Sequence, residues 1–223
     1  MYLEENYFQR EHFMNFKRTI GIYMLVFLVS IVMVILQINF YIALTTIIMI
    51  VFFGLIFPFL SIVFWEKDIY KIEKFLIDNK KNPNYQLFYA LANNIDEEVE
   101  EVIGKLLSKY KAKNKQALFK VIYALYKKEI LSAKHEVEHI KPVNYMKYYK
   151  SIVLVEEGEI NEARQLIEQV PIPWMKSALL AEIENRLKNR DEAKRFAKEA
   201  LEQAKGLQKY ILYKTYQREF EIM

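Results

Sequence analysis

The chain divides into two parts according to the distribution of its hydrophobic residues. No Asp, Glu, Lys, Arg or His occurs between Arg18 and Glu66, and 37 of the 47 residues between them are hydrophobic. After Glu66 hydrophobic residues recur at the spacing of amphipathic helices, and no segment shows the two-residue alternation of a half-buried strand. The pattern therefore predicts an all-α protein with a membrane segment followed by a polar-surfaced helical domain.

The charge-free segment is long enough for two membrane spans. A helix that crosses the hydrocarbon core of a bilayer needs about 20 apolar residues. Residues 19–38 and 41–65 each meet this length, whereas one helix over the whole segment would be about 70 Å long. Gln37 and Asn39 lie at the junction of the two spans. The sequence therefore predicts a transmembrane helical hairpin with a very short turn.

Basic residues near the ends of the spans predict the orientation of the hairpin. Lys17 and Arg18 precede the first span, Lys67 follows the second, and the tip of the hairpin carries no basic residue. Basic flanks stay in the cytoplasm, so we expect a multi-pass protein of the plasma membrane with both termini cytoplasmic. Tyr41 and Trp65 are typical of interfacial aromatic residues. These five residues are the predicted membrane-interface anchors, with the lipid bilayer as their partner.

The helical domain contains an internal repeat. A shift of 30 residues brings Ala133, Ala163 and Ala193 into register, each in the second helix of a helix–turn–helix unit. The pattern resembles the tetratricopeptide (TPR)-like repeat family, in which a small Ala lets two helices approach closely. The residues that carry the resemblance are Gly158, Glu162 and Ala163 in one unit and Asn189, Glu192 and Ala193 in the next. The resemblance implies a cytoplasmic α-solenoid.

Together these patterns divide the chain into five segments. The predicted order is a cytoplasmic N-terminal segment (1–18), two transmembrane helices (19–65), a juxtamembrane connecting helix (66–86), TPR-like repeats (87–205) and a C-terminal capping helix (206–223). A single helix pair cannot bury its apolar face, so stacking of repeats and capping of the ends are required. We expect the aromatic side of the final helix to cover the last repeat.

Composition excludes several classes of function. The chain has no Cys, which excludes disulfides, thiol nucleophiles and Cys-ligated metals, and its five Gly include no Gly-rich phosphate loop. Its 32 Lys and Arg against 28 Asp and Glu give a net charge of +4 on a mixed surface. This balance does not favour nucleic acid, which needs a clustered basic face. We expect no cofactor, and no small-molecule substrate is evident.

One short motif has the spacing of a zinc site. His135 and Glu136, followed by His139, match H-E-x-x-H, in which two His one helical turn apart bind zinc and the Glu activates a water. In the repeat register the two His align with Gln165 and Gln169, which are typical of a solvated helix face. We therefore expect no metal site and no enzyme, and a zinc metalloprotease remains a remote alternative.

Four tyrosines are candidates for a partner-binding groove. Helical-repeat arrays bind protein segments on their concave surface, where aromatic side chains provide contact area. The candidates are Tyr123, Tyr145, Tyr148 and Tyr149. Packing in the hydrophobic core is an equally good explanation of the same residues.

The function expected from these features is protein interaction at a membrane. The leading hypothesis is a scaffold module of the bacterial plasma membrane, which presents a helical-repeat domain to a protein partner in the cytoplasm or the membrane. The alternative is an accessory subunit of an integral membrane complex, of transport, secretion or self-immunity type, that is recognised through the hairpin.

Overall fold

The computed structural model describes residues 2–221, and the side chains from residue 19 to residue 221. Within this part of the chain every regular element is a helix and no strand is present, so the all-α prediction is confirmed. The chain forms two compact units, Met1–Val63 and a second one that begins at Phe64.

The helices follow one another with short connections. In the first unit they are α1 (Tyr2–Ile35), α2 (Phe40–Val51), a π-helical turn (Phe52–Ile56) and α3 (Phe57–Phe64). In the second unit they are α4 (Ile69–Asp78), α5 (Pro83–Asn93), α6 (Asp96–Lys109), α7 (Lys113–Tyr126), a 3₁₀ helix (Ile130–Ala133), α8 (Lys134–Val137), α9 (Val143–Glu157), α10 (Ile160–Glu168), α11 (Pro173–Arg186), α12 (Arg190–Gln203) and α13 (Gly206–Phe220).

One helix of the first unit is long and apolar enough to cross a membrane. This helix spans the 25 residues Phe40–Phe64; its most apolar window has a mean hydropathy of 2.9, and none of that window is buried. The apolar part of α1, Thr19–Ile35, is shorter. Between them Gln37 adopts a positive φ of 51° and the Asn39 side chain accepts a hydrogen bond from the Tyr41 N–H at 2.9 Å. The chain therefore turns at Gln37 and Asn39, the two most polar residues of the apolar segment.

The first unit contains a close helix contact and an irregular turn. A Cβ on Gly54 would lie 2.9 Å from Cδ1 of Ile22, so only a glycine allows this approach without a shift of the neighbouring side chain. The π-helical turn Phe52–Ile56 comes just before Pro58, which has no N–H to donate to the carbonyl of Gly54. The helix is therefore irregular near Gly54 and Pro58, where it forms one wide turn.

The second unit contains four helix pairs that share one turn geometry. The first helix of each pair ends at a residue with positive φ, and these residues are Asn94, Lys128, Gly158 and Lys188. In each turn the N–H of the next residue donates to the carbonyl five positions back, at 2.8–3.0 Å, which closes a Schellman motif. Because the same hydrogen bond recurs at intervals of 34, 30 and 30 residues, the internal repeat is present in the backbone.

Small residues lie where the paired helices cross. Ala163 and Ala193 are fully buried, and Ala133 is nearly so. The second pair departs from the pattern, because its second element is the 3₁₀ helix Ile130–Ala133 followed by only one turn of α-helix, α8. The repeat predicts a long second helix after Lys128, and this prediction is wrong for the second pair.

The C-terminal helix α13 joins both ends of the second unit. It packs against α12, as expected for a cap, and also against α4 and α5. Its first residue, Gly206, donates its N–H to the carbonyl of Glu66 at 2.7 Å. Farther along, the Arg218 guanidinium donates to the carbonyl of Ala92. The aromatic side of α13 therefore covers more than the last repeat.

Tyr210 is the central contact of this closure. Its ring is fully buried, and its hydroxyl donates to Glu73 at 2.7 Å and accepts from the Asn93 amide at 2.9 Å. Lys214 holds the same carboxylate at 2.8 Å. One side chain of α13 thus connects α4 and α5.

We expect Tyr210→Phe to destabilise the second unit by about 2 kcal/mol. The substitution keeps the ring but removes two hydrogen bonds, one to the Glu73 carboxylate, which keeps Lys214, and one from the Asn93 amide, which keeps the Tyr89 carbonyl. Denaturant unfolding of the full-length protein in detergent, followed by helical circular dichroism, measures the change. Tyr213→Phe, on the same helix, is the control; an equal loss in both variants would contradict the role of the Tyr210 hydroxyl.

Candidate functional site

Three of the four predicted groove tyrosines lie together on α9. Tyr148 and Tyr149 pack edge to face with ring centroids 5.3 Å apart, and Trp174 lies 5.9 Å from Tyr148. Tyr149 is buried in the core, whereas Tyr145 and Tyr148 are half-buried. Burial raises the pKa of the Tyr148 and Tyr149 hydroxyls, so both side chains are neutral at physiological pH. The α9 tyrosines form an aromatic floor together with Trp174.

Tyr123 lies at a different place. It lines a cavity of about 270 Å³ between α6, α7 and the irregular segment after α7. Leu107 contributes the apolar wall, and at the rim the Lys120 ammonium pairs with the Glu136 carboxylate at 2.5 Å. The cavity occurs in the pair whose second helix is shortened. The four tyrosines therefore do not form one groove.

The aromatic floor is covered by α13. Tyr216 and Phe220 of α13 are buried in one cluster with Ala178 and Ala181 of α11, and Tyr148 packs against this cluster. The C-terminal part of α13 therefore packs against α11 and Tyr148 of α9, in addition to the contacts of the helix with α4, α5 and α12. The aromatic spacing of the final helix indicates a buried side, but it does not indicate this location.

Glu182 of α11 and Glu219 of α13 interact electrostatically. Burial raises the pKa of Glu182, and the neighbouring carboxylates of Glu219 and Glu156 raise it further, against an opposing effect of Arg186. Burial likewise raises the pKa of Glu219, which Arg218 and Lys128 lower in part. The Arg186 guanidinium also binds Glu156 at 2.6 Å. The sequence gave no signal that these charges on α11 and α13 would interact.

Glu184 shows the opposite situation on the same helix. Its carboxylate accepts from Arg164 at 2.5 Å and from the Asn189 side chain at 2.8 Å. These two hydrogen bonds, Asn189 first, lower its pKa. Asn189 follows the left-handed residue of the fourth turn, so Glu184 stabilises the turn.

The H-E-x-x-H residues do not lie on one regular helix. His135 and Glu136 belong to the short α8, whereas His139 follows it in a turn. Glu136 is bound to Lys120, and Glu138 to Lys150 at 2.7 Å. From residue 19 to residue 221, no group of three or more His, Cys, Asp or Glu side chains is placed to hold a metal ion. The expectation of a regular helix through both His is wrong, because α8 ends after one turn.

The predicted membrane-interface residues that the structure describes are exposed. Tyr41 and Trp65 expose 75% and 54% of their surface, and Lys67 is exposed as well. The side chains of Lys17 and Arg18 lie outside the described residues. After Trp65 the chain enters the second unit through Asp68, whose carboxylate accepts from the Tyr70 N–H at 2.9 Å and caps α4.

We expect Glu182→Gln to stabilise the protein at pH 7 and to leave its stability unchanged at pH 4. The raised pKa means that the folded state releases this proton at a higher pH than the unfolded chain. The favourable contribution is therefore complete below the unfolded pKa, near pH 4, and is lost as the pH rises through the folded pKa. Glu182→Gln removes the charge, so it also removes this loss of stability at neutral pH. Denaturant midpoints at the two pH values measure the difference.

The matched control for this experiment is Glu184→Gln, two residues away. The pKa of Glu184 is lowered, so its contribution is present above the unfolded pKa and is lost as the pH falls through the folded one. This variant should be less stable than the wild type at pH 7. Destabilisation by both substitutions at pH 7 would contradict the raised pKa of Glu182.

Comparison with known proteins gives no further assignment. No known protein family, no curated protein and no solved structure matches this chain. The function is therefore argued from the residues and contacts described above.

Proposed function

We propose that the protein is a membrane-anchored protein-interaction module. In this proposal residues 19–38 and 41–65 form a transmembrane hairpin of the bacterial plasma membrane, both termini are cytoplasmic, and the second unit is a TPR-like array that binds a protein partner. The observation that carries the proposal is the covalent succession of an unburied apolar helix, Phe40–Phe64, and a repeat of helix pairs.

Hydrogen bonds made by the polar side chains within their own helices support the membrane-anchor part of the proposal. The hydroxyls of Ser30, Thr45 and Thr46 each donate to the carbonyl four residues earlier, at 2.7–2.9 Å. Their hydrogen bonds are therefore made within their own helix, as a hydrocarbon environment requires. Large apolar side chains cover the outside of both apolar segments, where a bilayer would solvate them.

The interaction half is supported by the repeated helix pairs of the second unit. Arrays of this kind offer an extended surface to a protein segment because each pair contacts chiefly its neighbours. Ion pairs such as Lys176 with Glu168, at 2.5 Å, and Arg186 with Glu156 connect adjacent pairs at the surface. The pairs therefore form one continuous array.

Recognition through the hairpin is the second candidate function, and the close approach of Gly54 to Ile22 favours it. Small residues that let helices pack tightly are typical of membrane helices that recognise other helices. In this alternative the protein is an accessory subunit of an integral membrane complex, of transport, secretion or self-immunity type.

An exchange of the hairpin separates the two candidates. Residues 19–65 are replaced by an unrelated two-span hairpin, and the wild-type and exchanged proteins are crosslinked in native membranes and purified. We expect both proteins to retain the same crosslinked partner, because the array carries the binding site. If only the wild type retains it, the hairpin is the recognition element and the leading proposal is wrong.

Single cysteines test the predicted topology, since the chain contains none of its own. Ile38→Cys, at the tip, should react with a membrane-impermeant maleimide on intact cells. Glu4→Cys and Ser108→Cys should react only after permeabilisation. Labelling of Glu4→Cys but not of Ser108→Cys on intact cells would indicate a single span and would contradict the hairpin.

A further inference from the structure

Lysine is concentrated in two neighbouring connections of the second unit, α4–α5 and α6–α7. Between Glu101 and Glu129 the sequence contains eight Lys and no Asp or Glu, and between Asp78 and Asp96 it contains two Lys and no acidic residue. Five of these lysines are exposed and form no ion pair with any residue that the structure describes. We call them the basic edge; they are Lys81, Lys109, Lys111, Lys113 and Lys115.

A hydrogen bond between side chains brings the two connections together. The Asn84 amide, near the start of α5, donates to the hydroxyl of Tyr110, which directly follows α6, at 3.3 Å. The pKa of Tyr110 is lowered first by this hydrogen bond and further by the charges of Lys109 and Lys115. Lys81 lies three residues before Asn84. The five lysines therefore belong to one local surface.

The backbone of the α6–α7 connection is held by Gln116. Its side-chain amide donates to the carbonyl of Leu107 at 2.6 Å and to the carbonyl of Tyr110. The lysines themselves do not favour this structure, because Lys113 and Lys115 occupy the first turn of α7, where the helix dipole opposes a positive charge. The basic edge is thus a cluster of like charges, presented on a fixed backbone, that folding alone does not explain.

We propose that the basic edge binds the anionic headgroups of the membrane surface and holds the second unit against the cytoplasmic leaflet. The inference rests on the membrane-anchor part of the proposed function, and it adds a peripheral contact with the same bilayer. Clusters of about four to eight Lys or Arg on the cytoplasmic side of a span are typical of such contacts, because this leaflet has a negative surface potential.

The reach of the chain favours a lipid surface as the partner of the basic edge. The apolar helix ends at Phe64, and α4 begins at Ile69. From Phe64 to Lys81 the chain consists of two short connections and α4, so the two residues are at most about 40 Å apart. If Phe40–Phe64 crosses a membrane, the basic edge is therefore always close enough to reach the headgroups of that membrane.

The chemistry of the five side chains favours the same partner over an acidic protein segment. All five are Lys and none is Arg. A Lys ammonium is a point charge on a flexible stem, which suits a fluid layer of headgroups without fixed positions. Arg is the residue that binds carboxylates in a fixed, bidentate geometry, as recognition of a particular acidic segment requires.

The probe of the proposal is a fluorophore at Ala112, in the middle of the basic edge. Ala112→Cys changes no charge, and the position is exposed in a chain without other cysteines. The labelled full-length protein is placed in nanodiscs of phosphatidylcholine, with or without anionic phosphatidylglycerol. Both kinds of disc contain a lipid with a spin-labelled headgroup, which quenches a nearby fluorophore.

We expect several-fold stronger quenching at position 112 in the anionic discs than in the neutral ones. Salt at about 1 M should remove the difference, because the Debye length falls from about 8 Å to about 3 Å. Asn161→Cys is the control for the label, since it is exposed on the same unit beside Glu159 and Glu162. It should show no increase with anionic lipid. Equal quenching at position 112 in both kinds of disc would overturn the proposal.

A charge variant tests whether the lysines cause the contact. It replaces the four lysines around position 112, and its substitutions are Lys109→Gln, Lys111→Gln, Lys113→Gln and Lys115→Gln. This variant should lose the extra quenching in anionic discs.

The matched control carries the same change in net charge at four other exposed basic residues that form no ion pair with described residues. Its substitutions are Lys141→Gln, Lys188→Gln, Arg190→Gln and Lys198→Gln. The control should keep the extra quenching, and helical circular dichroism confirms that both variants are folded. An equal loss in the two variants would assign the contact to net charge and would contradict a role of the basic edge.

The partner crosslinked in native membranes separates this inference from the proposed function. If the edge variant loses the extra quenching but still captures the partner, both the lipid contact and the interaction module are supported. If anionic lipid has no effect and the edge variant loses the partner, the edge binds an acidic protein segment; the inference is then wrong and the interaction module stands. If the lipid effect is present but exchange of the hairpin abolishes capture, the inference stands and the leading function is wrong.

Discussion

A helix pair cannot bury its own apolar face, and this constraint shapes the whole second unit. Each of the four pairs buries its face against a neighbour, which leaves the two ends of the array to be covered. The protein covers both with one helix, α13, which packs against α12 at one end and against α4 and α5 at the other. The hydroxyl of Tyr210 contributes to this arrangement, because it hydrogen-bonds to Glu73 of α4 and Asn93 of α5 at once.

Two carboxylates of α11 differ in how their surroundings affect their ionisation. Glu184, at a turn, is matched by Arg164 and Asn189, so its ionised form is stabilised. The pKa of Glu182 is raised by burial first and then by the carboxylates of Glu219 and Glu156, against an opposing effect of Arg186. Because Glu219 belongs to α13, closure by this helix disfavours the ionised form of Glu182, and neutralising that carboxyl strengthens the closure.

The sequence predicted those features that local rules determine. The turn at Gly158 could be placed because glycine readily adopts positive φ, and the turns at Lys128 and Lys188 followed from the 30-residue register of the repeat. The turn between α1 and α2 followed from Gln37 and Asn39, the most polar residues of the apolar segment. The path of α13 could not be predicted, because an apolar side indicates that a helix is buried but does not indicate which surface it packs against. The sequence did not predict that α8 is so short, because the 3₁₀ helix before it keeps the buried residues at the positions that the repeat predicts.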